Sequence, residues 1–320
     1  MKNSALRIGS RGSDLALWQA RWVESEIRRI VPACDVSIEV IRTKGDRILD
    51  SPLSQIGDRG LFTREIEEAL LEKRIDCAVH SLKDLPTDLP PGLSFGATCR
   101  REDVRDVFIP HPANPVRTLL DQKQGASIAT GSLRRRSQIL AKRPDFRIVD
   151  IRGNLNTRMN KLEESDWEGM ILACAGVTRL GWEESIGEII PVDVLLPAAG
   201  QGAIAVEIRT GDGVTASLLS GLDDRSTACA VEAERALLRT LEGGCQVPIG
   251  AYARIETTGK RRLLHIDAMV ASLDGTTVVR GRTHGFPSGA GEIGRALAET
   301  LLAGGAERIL REIRSSVPPP

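Results

Sequence analysis

The chain has no excess charge of either sign. Its 320 residues include 43 lysines and arginines against 43 aspartates and glutamates. That balance removes the simplest case for a nucleic-acid or polyanion binder, which carries a net basic excess. An anion site here has to be a local cluster of arginines. Long apolar runs are missing as well. No stretch approaches the roughly 18 apolar residues of a membrane span. The opening "MKNSALRIGSRGSDLAL" lacks the apolar core of a signal peptide. The six cysteines (Cys34, Cys77, Cys99, Cys174, Cys229 and Cys245) are scattered without a CxxC, and the four histidines lie far apart. Neither set has metal-ligand spacing. There is no GxxxxGK[ST], hence no P-loop, and there is no internal repeat. We expect a cytoplasmic protein with reduced thiols and no metal, in contact with neither nucleic acid nor membrane.

What is present is alternation. "ALRIGS" reads as a strand, "DLALWQARWVESEIRRIV" as an amphipathic helix and "VSIEVIRT" as a strand. "LFTREIEEALLEKR" is helical, and "IDCAVHS" returns as a strand. This order predicts an α/β sandwich with a largely parallel sheet. Residues 99–116, charged and then proline-rich, read as a linker. A second α/β unit follows, with strands "ASIAT", "FRIVDI" and "GMILACAG" and helices "SLRRRSQILAKR" and "LNTRMNKLEES". It ends near "LLPAAGQGA", a candidate crossover. A third region holds the helix "AVEAERALLRTLE", then "GAYARIE", "RLLHIDAMVASL" and "TTVVRGRTH" as strands, with Asp274-Gly275 as a hairpin turn.

Ligands of open α/β sheets collect beyond the carboxyl ends of the strands. Arginines recur there: Arg11 after the first strand, Arg134, Arg135 and Arg136 at a helix start, then Arg152, Arg158 and Arg179. Helix N-termini add donors and a positive dipole end, and arginine forks grip carboxylates. Any one of these arginines could lie on a solvated helix face; their recurrence in two units favours a site for several carboxylates. "GAGEIG" (289–294) matches GxGxxG but follows "FPS" instead of a strand, so it reads as a helix entry.

Two further stretches carry chemistry. "HSLKDLPTDLP" sets His80, Ser81, Lys83 and Asp84 after a strand. An aspartate beside cations stays ionised and can stabilise a developing cation or relay a proton; it can equally cap its own turn. In "LEGGCQVPIG" two glycines hold Cys245 in a loop. It is either a small buried hydrophobe or a functional thiol, and a thiol that carries a covalent group fits as well as one that attacks a substrate.

Taken together, "RIGSRGSDLALWQA", "HSLKDLPTDLP", "REDVRDVFI", "ATGSLRRRSQ", "IRGNLNTRMNKL", "AGVTRLG", "LPAAGQGA" and "AERALLRTLEGGCQVPIGAYA" closely resemble the porphobilinogen deaminase family, in family order over most of residues 5–253. The resemblance implies a transferase that joins four porphobilinogen units onto a dipyrromethane cofactor, losing ammonia each time, and releases hydroxymethylbilane by hydrolysis. It implies that Cys245 anchors the cofactor through a thioether and that Asp84 is catalytic, steadying positive charge on pyrrole nitrogens. Arg11, Arg134, Arg135, Arg152, Arg158 and Arg179 would bind the acetates and propionates, helped by Lys83, Ser13, Thr130 and Ser132. The implied fold is three α/β domains, the first two like the lobes of periplasmic solute-binding proteins and the third a small α+β domain with an antiparallel sheet. The boundaries would be 1–102 with 200–221, 103–199 and 222–320, in a monomer. The family often has lysine, at a lid contact, where this chain has Arg59, so the charge is kept there. Two rivals are a two-lobed anion receptor, which would need neither Cys245 nor Asp84, and a cysteine acyltransferase.

Overall fold

A computed structural model describes residues 5–47, 63–242, 247–259 and 261–316. These residues form two compact units. One takes those within 5–102 and 202–228, the other those within 103–201 and 229–316.

In the first unit the chain opens with β1 (Ala5–Ser10), α1 (Asp14–Ile30), β2 (Asp35–Val40) and a single turn, α2 (Lys44–Arg47). Then come α3 (Arg64–Leu71), β3 (Cys77–Ser81) and β4 (Leu93–Thr98). Side chains alternate across β3. Cys77 and Val79 join Val23 and Ile27 of α1 in one core, and Ala78 joins Ile66 and Leu70 of α3 in another. The sheet is therefore covered on both faces.

The second unit repeats the scheme with β5 (Asp106–Pro110), β6 (Ser127–Ala129), α4 (Leu133–Lys142), β7 (Arg147–Val149), α5 (Leu155–Glu163), β8 (Gly169–Ala173), α6 (Cys174–Arg179) and β9 (Glu188–Ile190). The segment read as a linker contains β5, and all five of its residues are buried. Phe108 is at its centre, and a Cβ on Gly169 would collide with the Phe108 ring. Three apolar residues between charge and proline are too short a run to announce a strand. The reading of "GMILACAG" as all strand is also corrected: the strand stops at Ala173 and continues as α6.

The chain then supplies β10 (Ile204–Arg209) and α7 (Gly213–Leu219) to the first unit, followed by α8 (Arg225–Thr240). In the second unit, β11 (Ile249–Thr258), β12 (Arg261–Ala271) and β13 (Val278–Gly285) form an antiparallel sheet. Gly275, at φ +75°, turns β12 into β13. Ile266 and Leu264 of this sheet pack with Leu237 of α8, with Leu297 and Leu301 of α9 (Ala290–Leu301), and with Ile309 of α10 (Glu307–Ser316). The fold is thus mixed α/β with a third, antiparallel sheet.

The two larger sheets have matching orders, β2-β1-β3-β10-β4 and β7-β6-β8-β5-β9. In each, three strands run parallel and the fourth in space runs antiparallel to both of its neighbours. The expected largely parallel sheet is therefore mixed. The reversed strands are β5, the first strand of the second sheet in chain order, and β10, the last strand of the first, and each runs opposite to the parallel strands of its own sheet.

Candidate active site

Two of the three parallel strands, β1 and β3, deliver side chains at one end of the first sheet. Arg11 follows β1 and is half-buried. Ser13 caps α1, its Oγ accepting the Ala16 N–H at 3.4 Å, which leaves the hydroxyl proton free to donate. β3 ends at Ser81, held by the buried Gln19, whose Nε2 donates to Ser81 Oγ at 2.8 Å. A 3₁₀ turn, Leu82–Asp84, follows. Leu82 is buried, Lys83 half-buried and Asp84 exposed. Among the described residues, the Asp84 carboxylate has neither a hydrogen bond nor an ion pair. It therefore does not cap its own turn.

His80 does not join that group. It points to the α3 face, where its Nε2 lies 3.2 Å from Glu207 Oε2 of β10 without hydrogen-bond geometry. Glu67 of α3 is buried on the same face. Burial raises the Glu67 carboxyl above the ordinary range; Thr63 opposes the shift, Glu207 adds to it and His80 opposes it.

In the second sheet the parallel strands again point at arginines. After β6, Thr130 is buried and accepts the Ser132 N–H at 3.3 Å, and Ser132 caps α4 through the Arg135 N–H at 3.5 Å. Arg152 follows β7, its Nε 3.2 Å from Asp150. Arg158 donates from Nε to the Gly153 carbonyl at 2.9 Å. Arg179 ends α6, which follows β8, and is buried.

Arg134 and Arg135 are not on a solvated helix face; both are buried against Asp106, which is fully enclosed. Asp106 was missed in the sequence because its partners lie 28 and 29 positions away. As the first residue of the reversed β5 it pairs with Ala173, so it sits at the carboxyl end of β8. Arg134 Nη1 donates to Asp106 Oδ2 at 2.7 Å, and Arg135 Nη2 and Nε donate to Oδ1 at 2.8 and 3.1 Å. Gln201 Nε2 adds a fourth bond at 2.9 Å. Burial alone would raise the Asp106 carboxyl; the two guanidiniums overrule it and hold it far below the ordinary range. Burial pulls Arg134 downward against Asp106, yet a guanidinium stays charged in proteins. Two cations against one anion leave one positive charge.

Arg134 Nε is buried and has no acceptor among the described residues. An orphaned guanidinium N–H beside a net positive charge fits an acidic ligand such as a pyrrole bearing acetate and propionate. Cys245 and Arg59 lie outside the described residues. "GAGEIG" enters α9, as the sequence suggested. Among the described residues, no group of three or more His, Cys, Asp or Glu could hold a metal, and no helix is long and apolar enough to cross a membrane.

Mixed α/β sheets with arginines and capped helix starts at the ends of their parallel strands define the class: an α/β protein with cationic side chains gathered at its strand ends. Comparison with known proteins makes this specific. The model of "Porphobilinogen deaminase, dipyromethane cofactor binding domain" matches residues 6–217, and that of "Porphobilinogen deaminase, C-terminal domain" matches 228–303. The porphobilinogen deaminase of Carboxydothermus hydrogenoformans is 52% identical over 307 residues, 96% of each chain. That of Desulforamulus reducens is 50% identical over 310 residues, 97% of this chain and 98% of its own. Among solved structures, the periplasmic aliphatic sulphonate binding protein of Escherichia coli is similar over 75% of this chain and 71% of its own, at 14% identity and a TM-score of 0.42, too distant to carry an argument. The chain belongs to the porphobilinogen deaminase family, and it is an enzyme with a dipyrromethane cofactor.

Proposed function

We propose that this enzyme condenses four porphobilinogen molecules head to tail, releasing ammonia at each step, and frees hydroxymethylbilane by hydrolysis. The cofactor, attached through a thioether to Cys245, supplies the pyrrole carbon to which the first unit is joined. The observation that carries the reading is Asp84: an exposed carboxylate at the end of β3 with no partner among the described residues. Such a group can accept a pyrrole N–H, stabilise the positive charge that develops there, and hold a proton for the departing amine. Lys83 precedes it on the same 3₁₀ turn.

Arg11, Arg152, Arg158 and Arg179 bind substrate carboxylates. Arg134, Arg135, Thr130, Ser132, Ser13 and Lys83 serve the cofactor. The Ser13 and Ser132 hydroxyls accept from the backbone and still have a proton to donate. We assign three domains, 1–102 with 200–221, 103–199 and 222–320, in a cytoplasmic monomer that binds neither nucleic acid nor membrane.

Denaturing mass spectrometry of freshly made, active protein is the test. The expected mass exceeds that of the sequence by two porphobilinogen units less two ammonias, on the peptide containing Cys245. An unmodified mass from active enzyme would return the chain to the receptor or acyltransferase readings. Cys245→Ala should lack the adduct and be almost inactive.

A further inference from the structure

We propose that the free edge of β13 is a docking surface for a partner protein, which adds an extended segment with acidic residues at alternate positions as a fourth strand of the third sheet.

The order of that sheet, β11-β12-β13, leaves an edge on each side. The β11 edge is in use. There the Ala251 N–H donates to the Pro197 carbonyl at 2.9 Å, and the Ala253 N–H donates to Glu234 Oε1 at 2.7 Å. The β13 edge is open: among the described residues, no hydrogen bond reaches the backbone of 278–285 from outside the sheet. A strand paired on one side only presents a row of free N–H and C=O groups. Edge strands of the two larger sheets are shorter, six residues in β2 and β4 and three in β7 and β9. β13 runs for eight and contains no proline.

Charge decides what the edge selects. Successive residues of a strand alternate between faces. A Cβ on Gly281 would meet Leu297 of α9, and one on Gly285 would meet Ile293, so these positions face inward. Arg280, Arg282 and His284 therefore share the outer face, and all three are exposed. Phe286, in extended backbone just past the strand, is 68% exposed. Asp267 stands opposite Arg282 in the register, yet it is spent on Arg254. Arg254 Nη1 donates to Asp267 at 2.7 Å and its Nε to Glu256 at 2.7 Å. Arg282 has no ion pair among the described residues. Arg280 donates to neutral groups, the Asp193 carbonyl at 3.3 Å and Gln138 Oε1 at 3.5 Å. β13 thus carries two uncompensated cations and no acidic residue, in a chain whose formal net charge is zero. The His284 ring, stacked on that of His265 at 5.2 Å, widens the platform toward β12.

A second copy of this chain fits badly. Two β13 strands paired about a two-fold axis would bring the arginines of both chains together, and like charges across a strand pair repel. A segment with glutamate or aspartate at every second position meets Arg280 and Arg282 with opposite charge. Its main chain completes the open ladder, and Phe286 offers an apolar anchor at one end.

The probe is a fluorescein-labelled peptide alternating glutamate with valine and matching β13 in length. It is titrated at low salt into the full, cofactor-loaded chain, and hydrogen exchange locates it. Binding should saturate below about 1 mM and should slow exchange at the β13 amides. Arg282→Glu should weaken it by about tenfold or more and Phe286→Ala by about threefold, with Tm and turnover as in wild type. Two N-methylated peptides, one for each alternate set of residues, should differ by about tenfold or more, because only one set of N–H groups faces the edge.

No saturable binding up to that concentration overturns the proposal. So does wild-type affinity in Arg282→Glu, or equal binding by both N-methylated peptides. Protection around Arg152 and Arg179 without protection of β13 also overturns it, since the peptide would then have found the arginines at the strand ends of the second sheet. Dimerisation of the wild type with protection of β13 would make a second copy the occupant and overturn it too. None of these outcomes touches the enzyme reading, which stands or falls on the adduct at Cys245.

Discussion

The two five-stranded sheets share a strand order, a reversed fourth strand and an aspartate at the carboxyl end of their parallel strands, yet the two aspartates are opposites. Asp84 sits on a 3₁₀ turn after β3, exposed and without a partner among the described residues. Asp106 opens the reversed strand β5, is fully buried and accepts hydrogen bonds from two arginines and a glutamine. Like topology therefore does not imply like chemistry. A carboxylate remains available for a reaction only where the rest of the chain leaves it unspent. Residues 28, 29 and 95 positions downstream of Asp106 decide that it is not.

The largest expected effect tests Asp84. Asn at that position has nearly the same size and, since the carboxylate caps nothing, should leave Tm almost unchanged. Turnover of porphobilinogen by protein preloaded with cofactor should fall by roughly 10²–10⁴-fold, the range for losing a preorganised electrostatic or acid–base group. Turnover within about threefold of wild type, only about 0.65 kcal/mol, would remove Asp84 from the mechanism and erase the contrast.

The next effect falls on stability. Asp106→Asn leaves two buried guanidiniums without a counter-charge, a change that costs about 3–5 kcal/mol where a buried pair is broken. Acid should reproduce part of this in the wild type. The folded Asp106 carboxyl lies below its unfolded value, so the stability it confers is fully present above about pH 4 and is lost as pH falls toward the folded value. Chemical denaturation between pH 5 and pH 2 measures it. An acid limb no steeper in wild type than in Asp106→Asn would mean that other carboxylates carry the loss.

Much of this was legible in the sequence, for reasons that are local. Ser13 and Ser132 announce helix starts because a cap needs only its own neighbours. Arg11, Asp84 and Arg152 follow apolar runs short enough to be strands. What stayed hidden is non-local. β5 is a strand because β8 and β9 pair with it, and Asp106 is tolerated inside because α4 brings two arginines. The direction of His80 was hidden for another reason. A sheet covered on both faces gives no polar–apolar alternation along β3, so its parity could not be assigned inward or outward.

The smallest predicted effect concerns the carboxylates buried behind Asp84, whose compensation is poorer than that of Asp106. Glu207 is fully enclosed, and among the described residues neither of its side-chain oxygens nor Glu67 Oε1 has a hydrogen-bond partner. His80 stands 3.2 Å from Glu207 but serves two carboxylates at once. The consequence is a sign opposite to that of Asp106. With its folded value raised, Glu67 binds its proton more tightly in the folded chain than in the unfolded one. Its favourable contribution is complete below about pH 4.5 and is lost as pH rises through the folded value. Glu67→Gln keeps the shape and removes the ionisation. At pH 8 the variant should be more stable than wild type by about 1–3 °C in Tm, and near pH 4.5 the difference should shrink or reverse. Turnover should stay within about twofold, because Glu67 is on the α3 face and does not touch the Lys83–Asp84 turn. The measurement is Tm against pH for both proteins. Parallel curves would mean that Glu67 is ionised equally in both states, and that the first sheet compensates its buried charge as fully as the second.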